Sequence, residues 1–164
     1  VRALLLGLGN PLLGDDAIGI RLARRFKPRL DDIAGLHVIE DCSLGGLNLL
    51  EIVAGFERLI VIDSIQVQGA AAGEWFCFTA ACLRDTRHLS SIHDVNFATA
   101  LELGRRLNLA VAADREIHIF AVAIVENRTF SETLSPDLEK KLPELEAEIL
   151  PRIREILEKP PLAT

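Results

Sequence analysis

The chain opens with a run that few folds accommodate: an unbroken aliphatic stretch, Ala3-Leu4-Leu5-Leu6, enters the glycine loop Gly7-Leu8-Gly9-Asn10. Two adjacent carboxylates, Asp15 and Asp16, then stand at the start of a helical pattern. The run does not alternate, so the strand over residues 2–8 is expected to be buried on both faces, as in parallel sheets covered by helices. Asp15 is read as the N-cap of the next helix, where Ile18, Leu22 and Phe26 recur every four residues before Pro28 closes it. Such a unit sets a carboxylate pair outside the carboxyl end of a strand, the edge where open α/β sheets bind ligands. A phosphate cradle is a poor reading of the glycines. The third glycine of a dinucleotide fingerprint and the Lys-Ser/Thr pair of a P-loop are missing, and two acids would repel a phosphate.

The rest of the chain repeats the unit. A second strand is expected over 36–41, then the small-residue loop Cys42-Ser43-Leu44-Gly45-Gly46, then a helix carrying Leu47, Leu50 and Val53 that stops at Gly55. The third strand, 58–63, is again solidly aliphatic and ends in Asp63. Ten residues separate it from the next strand, 74–79, too few for a crossover helix, so strand four is expected to be antiparallel. Residues 80–92 read as a long polar surface loop with Arg84, Asp85, Arg87 and His88. A helix then runs from Ser91 or His93 to about Leu107, with Phe97 and Leu101 facing the core and Asn108 near its end. A last strand covers 116–124, followed by a polar loop with Glu126, Asn127 and Arg128. Ser135-Pro136 opens a terminal helix whose Leu138, Leu142, Leu145, Ile149, Ile153 and Leu157 form one docking face, with Pro143 and Pro151 expected to kink or interrupt it. The expected architecture is a three-layer α/β/α sandwich around a mixed five-stranded sheet, a single domain over 1–158 with a frayed tail at 159–164.

Composition narrows the function classes. With 49% hydrophobic residues in 164, one buried core is affordable, and a formal charge of −6 argues against nucleic acid as a partner. No apolar run approaches the roughly 20 residues of a membrane span, and the first residues read as a core strand and not as a signal peptide. Cys42, Cys77 and Cys82 lack CxxC spacing, which fits a reducing compartment and a cytoplasmic protein.

Four ionisable residues fall where strands end or helices begin: Asp16, Asp41, Asp63 and His93. Two carboxylates and an imidazole make an incomplete shell for a divalent zinc, nickel or manganese ion, with positions left for water or substrate. Each residue alone has a simpler reading, the acids as caps and strand ends and His93 as a solvated or capping histidine. Their coincidence on one edge favours a site. Ser64 and Cys42 share that edge but lack a nucleophile elbow or a Cys-His-Asn signature, and are read as structural. His37 and His118, inside strand patterns, are read as structural too.

In order and spacing these motifs resemble the hydrogenase maturation endopeptidases, which process the large subunit of nickel-iron hydrogenases. The likeness is carried by Leu6-Gly7-Leu8-Gly9-Asn10, Asp15-Asp16-Ala17-Ile18-Gly19, the loop from Asp41 to Gly46, Val61-Ile62-Asp63-Ser64, Ser91-Ile92-His93 and Leu134-Ser135-Pro136. The resemblance implies a phosphorylase/hydrolase-like fold with its fourth strand antiparallel, and metal ligation by Asp16, Asp63 and His93. It also implies removal of a C-terminal extension from the large-subunit precursor, with nickel brought by that substrate, although other divalent cations can occupy the site in vitro. No catalytic group separate from the metal site is readable, and Asp41 is a candidate for substrate binding or for supporting the ligands. The glycines then read as a tight turn that lets a protein tail and its metal approach the backbone. A monomer is expected, without nucleic acid or membrane partners. Two departures stand out: Asp41-Cys42-Ser43-Leu44 replaces the family's Asp-Gly-Gly or Asp-Cys-Gly with threonine, and Asp16 replaces a glutamate of some relatives. The competing readings are a nickel-sensing assembly factor that does not cut, a peptidase with resident zinc, and a peptidyl-tRNA hydrolase. The last shares Gly7-Leu8-Gly9-Asn10-Pro11, but this chain has no histidine before His37.

Overall fold

The computed structural model describes residues 1–42, 47–83 and 92–160, and within them the side chains of all but 47, 83 and 92–96. The elements in order are β1 (Ala3–Leu8), α1 (Ile18–Phe26), β2 (Leu36–Cys42), α2 (Leu47–Val53), β3 (Arg58–Ile65), β4 (Trp75–Thr79), α3 (Ala80–Leu83), α4 (Ile92–Arg106), β5 (Ile117–Ala123) and α5 (Pro136–Glu158). They form one five-stranded sheet in the order β2-β1-β3-β5-β4. All pairings are parallel except β4 with β5, the strand reached by the short connection. Every residue of β1 and of β3 is buried, as their unbroken aliphatic runs require.

Strand alternation sorts the core into two faces. Leu5, Ile60, Ile62, Phe120 and Val122 pack against Ile18, Leu22 and Phe26 of α1 and the apolar stripe of α5. Leu4, Leu6, Leu59, Val61, Ile117 and Ile119 pack against Leu49, Leu50 and Val53 of α2 and Phe97, Ala100 and Leu101 of α4. The expected three-layer sandwich is therefore present, and its parallel strands direct their carboxyl ends to one edge.

Three local expectations change. The helix α5 runs without interruption through Pro143 and Pro151. Each internal proline costs about 3 kcal/mol, whereas burial of Leu138, Leu142, Leu145, Ile149, Leu150, Ile153 and Ile156 contributes roughly 1.5–3 kcal/mol per side chain, so docking outweighs both breaks. Ile156 and not Leu157 closes that face, with Leu157 only partly buried against it. The long loop expected from residue 80 instead begins with the helical turn α3, and its remainder, 84–91, lies outside the described residues. Asn108 ends α4 in a left-handed conformation at φ 54°. The amides of Asn108 and Leu109 return to the carbonyls of Arg105 and Gly104, the two bonds of a Schellman cap.

At the opposite, amino-terminal edge of the sheet a buried ion pair closes the fold. Arg58 Nε donates to Glu116 Oε2 at 2.7 Å, and its other nitrogens donate to the carbonyls of Ile156 in the last turn of α5 and of Lys159 and Pro160 just beyond it. The expected frayed tail thus begins at two residues whose carbonyls Arg58 binds, and 161–164 lie outside the described residues.

Candidate functional site

The site is built where β1 and β3 end side by side. After Leu8 the chain turns at Gly9, whose φ is 145°, and re-enters α1 through a 3-10 turn at Gly14–Ala17. That turn places Asp16 against the strand ends with only 1% of its surface exposed. Its Oδ2 accepts the Asn10 amide at 2.9 Å and its Oδ1 accepts the Ser64 hydroxyl at 2.7 Å. Asp63, equally buried on β3, accepts the Ser64 amide on Oδ1 at 2.8 Å. Ser64 therefore holds both carboxylates at once.

The glycines allow the tight turn and, beyond it, close packing within the chain. A Cβ at Gly9 would fall against the carbonyl oxygen of Asp16, and one at Gly19 would stand 2.9 Å from the carbonyl carbon of Ile62. The space is taken by the protein's own backbone: the glycines bring α1 and Asp16 onto the strand ends.

Asp15 also departs from expectation. The residue flanking α1 makes no side-chain cap, and Asp15 Oδ1 accepts the amide of Ser135, the N-cap position of α5, at 2.6 Å. The same loop is stitched to the segment after β5, since Gly14 donates to the Ser131 carbonyl at 2.8 Å and Ser131 donates to the Leu12 carbonyl at 2.9 Å. One acid of the pair joins two loops, and its neighbour faces the sheet edge.

Asp41 lies on exposed edge strand β2, and its carboxylate is 3.5 Å from Arg24 of α1. Cys42 next to it is buried in the α2–α4 core, and 43–46 lie outside the described residues. The backbone of His93 belongs to the first turn of α4, and its side chain lies outside the described residues. Among the described residues no three His, Cys, Asp or Glu side chains group as a metal site. What they do place together is the pair Asp16 and Asp63, two anionic oxygen donors of the kind a divalent cation takes. His37 packs edge-on against Phe56 with centroids 5.4 Å apart, and His118 stands on β5 away from the pair, its pKa lowered by burial and then by Arg58. Ser64 and Asn10 are the residues the sequence did not mark as functional. The only signal was that Ser64 directly follows Asp63 at a strand end.

The family model described as hydrogenase maturation protease matches residues 20–152, a span that includes Asp63 and His93 and starts just after Asp16. A curated relative, the hydrogenase 2 maturation protease of Escherichia coli strain K12, is 37% identical over 87 residues, 52% of this chain. The chain spans about half the length of that relative, 48%. Among solved structures, the hydrogenase maturating endopeptidase HybD from E. coli superposes with a TM-score of 0.71 at 23% identity, covering 94% of this chain and 93% of its own. The [NiFe] hydrogenase maturation protease HybD from Thermococcus kodakarensis does so with a TM-score of 0.68 at 23% identity, covering 97% and 100%. At that identity the structural likeness speaks for the fold, and the family match extends over most of the sequence. The chain belongs to the hydrogenase maturation protease family.

Proposed function

We propose that this protein is an endopeptidase that removes the C-terminal extension of a nickel-iron hydrogenase large-subunit precursor once nickel is in place. One observation carries the reading: in a chain of this family, Asp16 and Asp63 are both buried at the carboxyl edge of the sheet, and Ser64 donates a hydrogen bond to each. Burying two carboxylates is unfavourable unless donors or a cation balance them, and such positions are candidates for function.

In this reading nickel arrives with the substrate as its recognition element. Asp16, Asp63 and His93 complete its coordination, so that only a nickel-loaded precursor is held with its scissile peptide beside the site. Positioning of this sort converts an encounter into an effectively unimolecular step. A metal at that place can polarise a peptide carbonyl or lower the pKa of water. The chain's own residues bind and orient: Asp16 and Asp63 are fixed by Ser64 and Asn10, and the 12–14 loop is fixed to the segment after β5. Asp41, paired with Arg24 on the exposed edge strand, is left to contact the precursor outside the metal shell. Cytoplasmic action as a monomer, without nucleic acid or membrane, belongs to the same proposal. No helix among the described residues is long and apolar enough to cross a membrane.

The test is incubation with a nickel-loaded large-subunit precursor and measurement of the product mass. A mass reduced by the extension is expected, and loss of that cleavage in Asp63→Ala. An unchanged mass with the wild-type protein would sink the protease reading and leave a nickel-sensing factor that binds without cutting. A stoichiometric tight metal in protein purified without added metal would instead contradict delivery of nickel by the substrate.

A further inference from the structure

We infer that Ser64 is a positioning residue for the two carboxylates, one side chain and one amide that together set where Asp16 and Asp63 present their oxygens to a divalent cation. The inference rests on the metal reading of those acids given above.

The geometry of β3 explains why such a link is needed. Leu59 and Val61 lie on the α2–α4 face, whereas Ile60 and Ile62 lie on the α1–α5 face. By the same alternation Asp63 leaves the strand on the first face and Ser64 on the second, the side from which α1 and Asp16 approach. The two carboxylates therefore reach the strand end from different layers of the sandwich. Ser64 spans them: its hydroxyl proton goes to Asp16 Oδ1 at 2.7 Å, and its amide proton goes to Asp63 Oδ1 at 2.8 Å. A hydroxyl has one proton to give, so directing it to Asp16 fixes the rotor.

Asp16 is then held at both oxygens, by Ser64 on Oδ1 and by Asn10 on Oδ2, and cannot turn its carboxylate plane without losing a bond. Each carboxylate oxygen has two acceptor positions, so a donor and a metal can share one. Ser64 itself sits on an interior strand, paired with Val122 of β5, and is 3% exposed. Its backbone is fixed by the sheet, and its buried hydroxyl is placed to hold a neighbour and not to attack a substrate. Partners that orient metal ligands typically influence affinity by about 10–100-fold. The unbranched side chain matters too: an alanine keeps the amide bond to Asp63 and removes only the bond to Asp16, so the two functions of Ser64 are separable by one substitution.

The experiment compares wild type, Ser64→Ala and Ser64→Thr by titration with cobalt(II), followed by visible absorption, and by the NMR resonance of the Asn10 amide in metal-free protein. Ser64→Ala is expected to bind cobalt about 10–100-fold more weakly with an altered absorption band, and to shift the Asn10 resonance because Asp16 is released. Ser64→Thr, which keeps the hydroxyl, is expected to restore both. A Ser64→Ala protein with wild-type cobalt affinity, wild-type band and an unmoved Asn10 amide would overturn this inference alone. A wild-type protein that takes up no cobalt at millimolar concentration would overturn the metal reading of the site, and the inference with it.

Discussion

Replacing Gly19 by alanine sets two physical effects of opposite sign against each other. Gly19 lies in the first turn of α1, where alanine is favoured over glycine by up to about 1 kcal/mol. Propensity alone predicts a more stable protein. The packing predicts the reverse, because a Cβ at this position would stand 2.9 Å from the Ile62 carbonyl carbon and closer still to the carbonyl oxygens of Ile62 and Leu8. Carbon atoms settle at about 3.5–4.0 Å, so α1 must retreat by roughly 0.6 Å or more from two interior strands that cannot yield. Overpacking costs typically about 1–3 kcal/mol, and a Cβ driven into backbone carbonyls of two strands at once falls at the upper end, about 2–3 kcal/mol, which leaves a net loss of roughly 1–2 kcal/mol after the helical gain. For a domain of this size each kcal/mol moves Tm by about 2–4 °C, so a fall of roughly 2–8 °C is expected. Thermal and urea unfolding followed by circular dichroism would measure it. The retreat also moves Asp16, three residues upstream, away from Ser64, so cation binding should weaken with stability. A Gly19→Ala protein as stable as wild type or more so would refute the claim that helix α1 is held this close to the strands.

Four further outcomes are expected. Asp15→Ala should lower stability by about 1 kcal/mol by stripping the Ser135 amide of its acceptor, and Asp15→Asn, which keeps an oxygen there, should recover most of it in the same unfolding assay. Arg58→Met should cost about 3–5 kcal/mol by leaving Glu116 buried without the guanidinium and by releasing three carbonyls at the end of α5 and just after it, and a denaturation midpoint equal to wild type would contradict it. His118 has its pKa lowered in the folded state by burial and by Arg58. The unfolded chain therefore binds more protons just below pH 6.5, stability falls as pH drops through that value, and His118→Gln should flatten the slope between pH 7.5 and 5.5. His93→Ala should abolish precursor processing with little change in Tm, and retained processing would remove His93 from the proposed ligand set.

Periodicity and run length were enough to determine the layers of this protein. Unbroken aliphatic strands can be buried only between two helical layers, and a ten-residue connection after Asp63 can only return antiparallel, so the sheet was readable without coordinates. The positions of Asp16 and Asp63 at one edge followed from that topology. Which atoms meet there did not, because hydrogen-bond partners depend on packing to fractions of an ångström between residues 48 apart in the chain. Tertiary structure alone assigned Asp15 to Ser135 in place of its own helix, gave the glycines to close packing of α1, kept α5 whole through two prolines, and made Ser64 the link between the carboxylates. Local sequence fixes what a residue can do along its own element, and only the juxtaposition of elements decides which neighbour receives the bond.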